Sequence, residues 1–263
     1  MNDKQQFYRG ISKDELNLIS RAEYSGLKLI TGEFANSVIG EKKKTSNILS
    51  RLVNKGRLIR ISRGKYFIVP IRAPKQLWAP NEFITAKYWI GTGDYYLGYY
   101  TMYNYWGFTG QIPRSVYVLN TEKSYSSVIK GVEYNAVKIS PLKYYGTVEI
   151  EIEGEKITIS DKERTLVDFI YKPTGTFESM KQIVKEVLSG IDYVKLCEYL
   201  IKYPEIAVRK RAGYLIQEAG ADNKLIVKLK KSFDPSRTNI VLNPFNRSRK
   251  GKVNKEWGLI IND

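Results

Sequence analysis

Between Ser12 and Pro70 the hydrophobic pattern changes period, from helical to alternating. SKDELNLISRAEY (12–24) opens with Ser12-x-x-Glu15, the signature of a capping box, and continues with Leu16, Ile19 and Ala22 at helical spacing. A second short helix is predicted from Gly32 to Val38, capped by Thr31, with Phe34, Ala35 and Val38 apolar and Gly40 interrupting it. A third spans about Lys43 to Lys55. Its Ile48, Leu49, Leu52 and Val53 share one side, and Gly56 ends it from the C′ position. The same wheel turns Lys43, Asn47, Ser50, Arg51 and Asn54 outward, with Lys44 and Ser46 at the flank. RLIRIS and KYFIVP then read as two strands joined at Arg63-Gly64.

Beyond residue 70 the pattern is less regular. IRAPKQLWAPNEF carries Pro74 and Pro80 and predicts an extended linker over 71–81. The aromatic-dense run 88–106 predicts a helix from about Leu97 to Trp106, ended by Gly107, with most rings in the core. RSVYVLNT and YNAVKIS read as strands, and TVEIEIEGEKITIS as a hairpin about Glu153-Gly154. Ser160-x-x-Glu163 suggests another capping box. The helix behind it has Leu166, Val167 and Ile170 as its apolar stripe and stops at Pro173. Arg164 and Asp168, four apart on the polar side, fit an ordinary helix ion pair. Further helices carry Phe177, Met180, Ile183, Val184 and Val187, start at Asp192, and follow Pro204 as an N1 residue. Gly213 inside the last of these predicts a close backbone approach. EWGLIIN closes as a strand.

The fold class expected is α+β. An N-terminal domain (1–70) precedes the linker (71–81) and a larger mixed α/β domain (82–263), with antiparallel strands first and a helical segment after. Three short helices and a hairpin are the order of a winged helix-turn-helix, whose third helix enters the DNA major groove.

Charge sharpens this picture. The formal net charge is +16, which favours polyanionic partners. Between Glu41 and Glu82 there are eleven Lys and Arg and no acid. Lys, Ser, Asn and Arg on the outward face of the third helix are the residue types that contact phosphates and base edges. The residues expected to bind DNA are Lys43, Lys44, Ser46, Asn47, Ser50 and Arg51, with Arg63 and Lys65 at the hairpin tip. A second basic segment, 224–252, has nine Lys and Arg against Asp234.

Other chemistries find little support. There is no histidine, which removes imidazole bases and most zinc sites. The single Cys197 sits on an apolar stripe and reads as a buried thiol. Glu149, Glu151 and Glu153 alternate to one strand face, which a metal-dependent nuclease would use. No Asp or Lys falls at nuclease spacing, so a solvent-facing strand is the preferred reading. No apolar run approaches membrane-span length, and the N-terminus lacks a signal-peptide core. A cytoplasmic, non-enzymatic protein without catalytic residues, metal or cofactor is expected.

The chain also resembles the AbiEi antitoxins of type IV toxin–antitoxin systems, transcriptional regulators of viral defence. The matching stretches are LSRLVNKGRLIRISRGKYFIVP, YYLGYYTMYNYWGFTGQIPRSVYV, ISDKERTLVDFIYKP, RKRAGYLIQEAG and NKEWGLIIND. The resemblance implies an autorepressor that binds double-stranded operator DNA at inverted repeats. It implies that residues 82–263 form an antitoxin domain opposing a nucleotidyltransferase-like toxin, with or without a stable complex. Glu163, Arg164, Asp168, Arg209, Arg211 and Tyr214 match its recurring motifs. A stand-alone regulator without a toxin partner is the alternative.

Overall fold

A computed structural model describes residues 10–70, 78–91, 93–220, 223–246 and 248–262. Most of the proline-containing stretch, 71–77, therefore lies outside the described residues. The protein is mixed α+β and divides into two units. One is 1–91 with 127–133; the other is 92–126 with 134–263.

The first unit begins with α1 (Lys13–Tyr24), β1 (Leu29–Thr31), α2 (Gly32–Ile39) and α3 (Lys42–Asn54). The strands β2 (Leu58–Ser62) and β3 (Lys65–Ile68) follow, then α4 (Glu82–Ile90). Both N-terminal caps form as the sequence predicts. Ser12 and Glu15 exchange hydrogen bonds, and Thr31 Oγ1 accepts from the Phe34 amide at 3.1 Å. The apolar stripe of α1 differs from expectation: Leu16 is exposed, and Leu18 is buried with Ile19 and Ala22. They pack with Ile30, Ala35, Ile48, Leu49, Leu52, Leu58 and Ile68 in one core.

The β2–β3 hairpin turns at Arg63-Gly64, where Gly64 takes φ +74°. β1 adds a third antiparallel strand, in the order β1-β3-β2, that the sequence did not announce. The first unit also continues past the expected boundary. Helix α4, capped by Asn81, belongs to it. Phe67 of β3 stands edge-on to Tyr88 at 5.7 Å, which ties that helix to the hairpin.

The second unit contains β4 (Tyr95–Leu97), α5 (Tyr100–Tyr105), β5 (Ser115–Asn120), β6 (Tyr125–Ile129), β7 (Val132–Lys138), β8 (Thr147–Ile152) and β9 (Glu155–Ser160), apart from the segment 127–133. The six strands form one sheet in the order β6-β7-β5-β4-β9-β8. The helix expected over 97–106 is shorter, because Tyr95–Leu97 pair as a strand with β5 and with β9. Tyr96, Tyr99 and Tyr103 are buried core rings.

Helices α6 (Lys162–Tyr171), α7 (Phe177–Leu188), α8 (Tyr193–Lys202), α9 (Ile206–Glu218) and α10 (Asn223–Lys230) pack against this core. The strands β10 (Ile240–Val241), β11 (Lys252–Asn254) and β12 (Leu259–Ile261) make a small sheet. Three features of these helices differ from expectation. The cap of α6 is Asp161, whose carboxylate accepts from the Arg164 amide at 2.7 Å; Ser160 instead hydrogen-bonds Thr165. Pro204 precedes the cap of α9, which is Glu205, so it is not an N1 residue. Arg164 and Asp168 lie not on a polar face but in the core, 1% and 0% exposed. No helix among the described residues is long and apolar enough to cross a membrane.

Candidate nucleic-acid interface

The helix that the sequence marks for DNA is held by one buried carboxylate. Glu15 of α1 is fully buried beneath α3. Its Oε1 accepts from Arg51 Nε at 3.1 Å, and its Oε2 from Lys55 Nζ at 2.6 Å and from the Ser12 amide at 2.7 Å. Lys55 also donates to the Gly10 carbonyl. Desolvation alone would push the Glu15 carboxyl up. The hydrogen bonds from Lys55, Ser12 and Arg51 outweigh it and hold the pKa at about 2.

Because that value lies below the ordinary 4.5, the stabilisation is fully present above pH 4.5 and is lost as pH falls towards 2. The shift corresponds to on the order of 3 kcal/mol. Urea titrations of the full chain between pH 7 and 3 should show the first unit weakening across this range. Glu15→Gln should flatten that dependence, and an unchanged pH profile in the variant would refute the clamp.

With the clamp in place, α3 presents Lys43, Lys44, Ser46, Asn47, Ser50 and Arg51 as exposed residues. They divide by what they touch. Arg51 is committed inward to Glu15, and Lys44 pairs with Asp14 at 2.9 Å, both partners being half exposed. Lys43, Asn47 and Ser50 occupy the outward stripe at intervals of four and three residues, with Ser46 beside them. Thr45, on the opposite side, is buried and donates to the Glu41 carbonyl.

The hairpin residues also divide. Arg63 is exposed at the turn. Lys65 is half-buried and donates to the Tyr88 carbonyl at 3.0 Å, so it anchors α4 to the hairpin. Sequence reasoning passed over Arg60, which is exposed between buried Ile59 and Ile61. The alternation LIRIS was the available signal.

The six motif residues of the second unit are mostly tied into the fold. Glu163 accepts from the Asp192 amide at 3.1 Å and pairs with Lys195 at 3.2 Å. Arg164 grips Asp168 with two donors, Nη2 at 2.9 Å and Nε at 3.3 Å, and Nη2 also donates to Tyr96 Oη. The guanidinium lies 4.6 Å from the Tyr145 ring centre and 5.2 Å from that of Tyr203. Burial alone would lower the Arg164 pKa, but the Asp168 carboxylate beside it outweighs that, raises it and keeps the guanidinium charged. Arg209 donates to the Tyr203 and Ser232 carbonyls, and Arg211 to that of Val241. Tyr214 is half-buried and lines a groove with Phe177 and Leu242.

The remaining candidates behave simply. Cys197 is buried, which raises its thiol pKa. Glu149, Glu151 and Glu153 are exposed, and Glu149 lies 3.6 Å from Lys156 Nζ.

No family model and no curated protein matches the chain. Among solved structures it is similar to the crystal structure of the RV2827C protein from Mycobacterium tuberculosis. The two are 13% identical with a TM-score of 0.70, over 97% of this chain and 93% of that one. This likeness shows a shared fold.

Proposed function

We propose that this chain is a DNA-binding autorepressor and antitoxin of a type IV toxin–antitoxin system. In this reading α1–α3 and the β2–β3 hairpin act as a winged helix-turn-helix. The outward stripe of α3 reads operator DNA, and Arg63 and Arg60 contact the backbone nearby. The second unit opposes a nucleotidyltransferase-like toxin. The observation that carries the DNA half is the exposed stripe Lys43-Ser46-Asn47-Ser50 on a helix clamped from behind. Lys suits phosphates and Asn suits adenine edges, so the stripe combines the two kinds of contact a sequence reader needs. The antitoxin half rests on the resemblance of the motifs, and most of their side chains serve the core.

The test is fluorescence anisotropy with DNA from upstream of the protein's own gene and a scrambled control, at several salt concentrations. Lys43→Ala/Asn47→Ala should weaken operator binding at least about tenfold, since a lost base-edge contact costs ~1–3 kcal/mol. The melting temperature should not move, because both side chains face solvent. Arg51→Ala should lower the melting temperature instead, by opening the Glu15 clamp. Equal affinity for both DNAs, or an unaffected double variant, would overturn the assignment of α3. Rescue of toxin-expressing cells by that same double variant would separate antitoxin activity from DNA binding.

A further inference from the structure

The Glu15 clamp holds more positive charge than its carboxylate can match. Lys55 Nζ bonds Glu15 Oε2 at 2.6 Å and is itself mostly buried, so it neutralises the carboxylate alone. Arg51 is a second cation on the same group, and the cluster keeps a surplus positive charge. Arg51 is also its outer member. The Arg51 side chain is 54% exposed, whereas that of Glu15 is fully buried.

The guanidinium uses only one of its nitrogens on the clamp. Nε donates to Glu15 Oε1 at 3.1 Å. Among the described residues, Nη1 and Nη2 have no hydrogen-bond partner. A guanidinium is planar, so anchoring Nε restricts the plane in which the two Nη groups lie. The anchor is itself fixed, because Glu15 Oε2 also accepts from the Ser12 amide within the α1 capping box. An ordinary surface arginine loses rotamer freedom when it binds. Here folding has already removed much of that freedom, which favours a partner that fits the fixed fork.

From this arrangement we infer that Arg51 is a pre-positioned guanine reader. Nη1 and Nη2 donate to O6 and N7 of one guanine in the major groove, while Glu15 holds Nε from behind. Two terminal donors in one plane match the two guanine acceptors. A phosphate accepts from many directions and gains little from a fixed plane. Lysine could also have supplied a second cation to Glu15, but only arginine leaves a fork facing out. Arg51 follows Asn47 by one turn of α3, about 6 Å or two base-pair steps, so the guanine lies within about two base pairs of the base that Asn47 contacts. This inference rests on the DNA reading of α3 and adds to it a base and the geometry of its recognition.

Fluorescence anisotropy of the full chain tests it, with the upstream DNA carrying 7-deazaguanine at each guanine in turn. The analogue removes N7 and keeps Watson–Crick pairing. At one guanine of a half-site it should weaken binding by the parent chain at least about fivefold. That result needs no variant that could fail to fold. Arg51→Lys, which keeps a cation beside Glu15, should respond less than about twofold at the same guanine. Asn47→Ala should keep the full response. Glu15→Gln, which removes the charge from the anchor, should give a reduced one.

No preference of the parent chain for upstream over scrambled DNA would overturn the DNA reading and this inference with it. A clear preference without any sensitive guanine would overturn this inference alone. So would Arg51→Lys responding like the parent, or losing affinity equally on every probe, which marks a phosphate contact. A full response in Glu15→Gln would overturn the anchoring role of Glu15.

Discussion

Asp168→Asn should destabilise the second unit by about 3–5 kcal/mol, the cost of leaving a buried cation without its counter-charge. Arg164 is sealed among Tyr96, Tyr145 and Tyr203, and its Nη1 already has no hydrogen-bond partner among the described residues. The substituted amide would keep the shape of the carboxylate and lose its charge. The same spacing on a solvated helix would contribute only about 0.3–0.5 kcal/mol, so the two placements differ severalfold in expected effect. Urea unfolding of the full chain, followed by near-ultraviolet circular dichroism of the tyrosine-rich core, measures it. A loss below about 1 kcal/mol would mean that water reaches the pair. Arg164→Met/Asp168→Leu should recover part of the loss, because removing both charges removes the desolvation cost with them.

Gly213→Ala should also destabilise, by at least about 2 kcal/mol, against the general rule for helices. Alanine at an ordinary helical position would gain roughly 1 kcal/mol over glycine. At Gly213 an added Cβ would lie 2.0 Å from Trp257 Cζ3. Trp257 is fully buried, and its indole N–H donates to Gln217 Oε1 at 2.6 Å, so the ring is held at both edge and face. It cannot retreat without breaking that bond or moving β12. A lowered urea midpoint, with altered near-ultraviolet tryptophan signal, is the expected result. A variant as stable as the parent would show that the ring re-seats freely.

The close approach at Gly213 could be read from sequence because a helix-disfavouring residue inside an apolar period needs a steric reason. The caps at Ser12 and Thr31 and the turns at Gly64 and Gly154 were legible for a similar reason: each depends on a few adjacent residues. What stayed hidden depends on distant ones. An i,i+4 Arg–Asp pair looks the same whether water or three tyrosines surround it. Glu15 fits a capping box, and nothing within its own helix reveals that it also binds cations 36 and 40 residues away. Tyr95–Leu97 escaped notice because strand β4 lies between two others in a sheet crowded with aromatics. Helix α10 escaped because its lysines obscured the stripe of Leu225, Ile226 and Leu229.

The Glu15 clamp has a consequence for how this sequence can drift. Positions 51 and 55 answer to position 15, whereas 43, 46, 47 and 50 answer only to whatever lies outside. In aligned relatives the first three should therefore change together or not at all, as contacting positions do. The outward four should vary independently of them. A lineage could then acquire a new binding preference on α3 while inheriting the fastening of that helix intact.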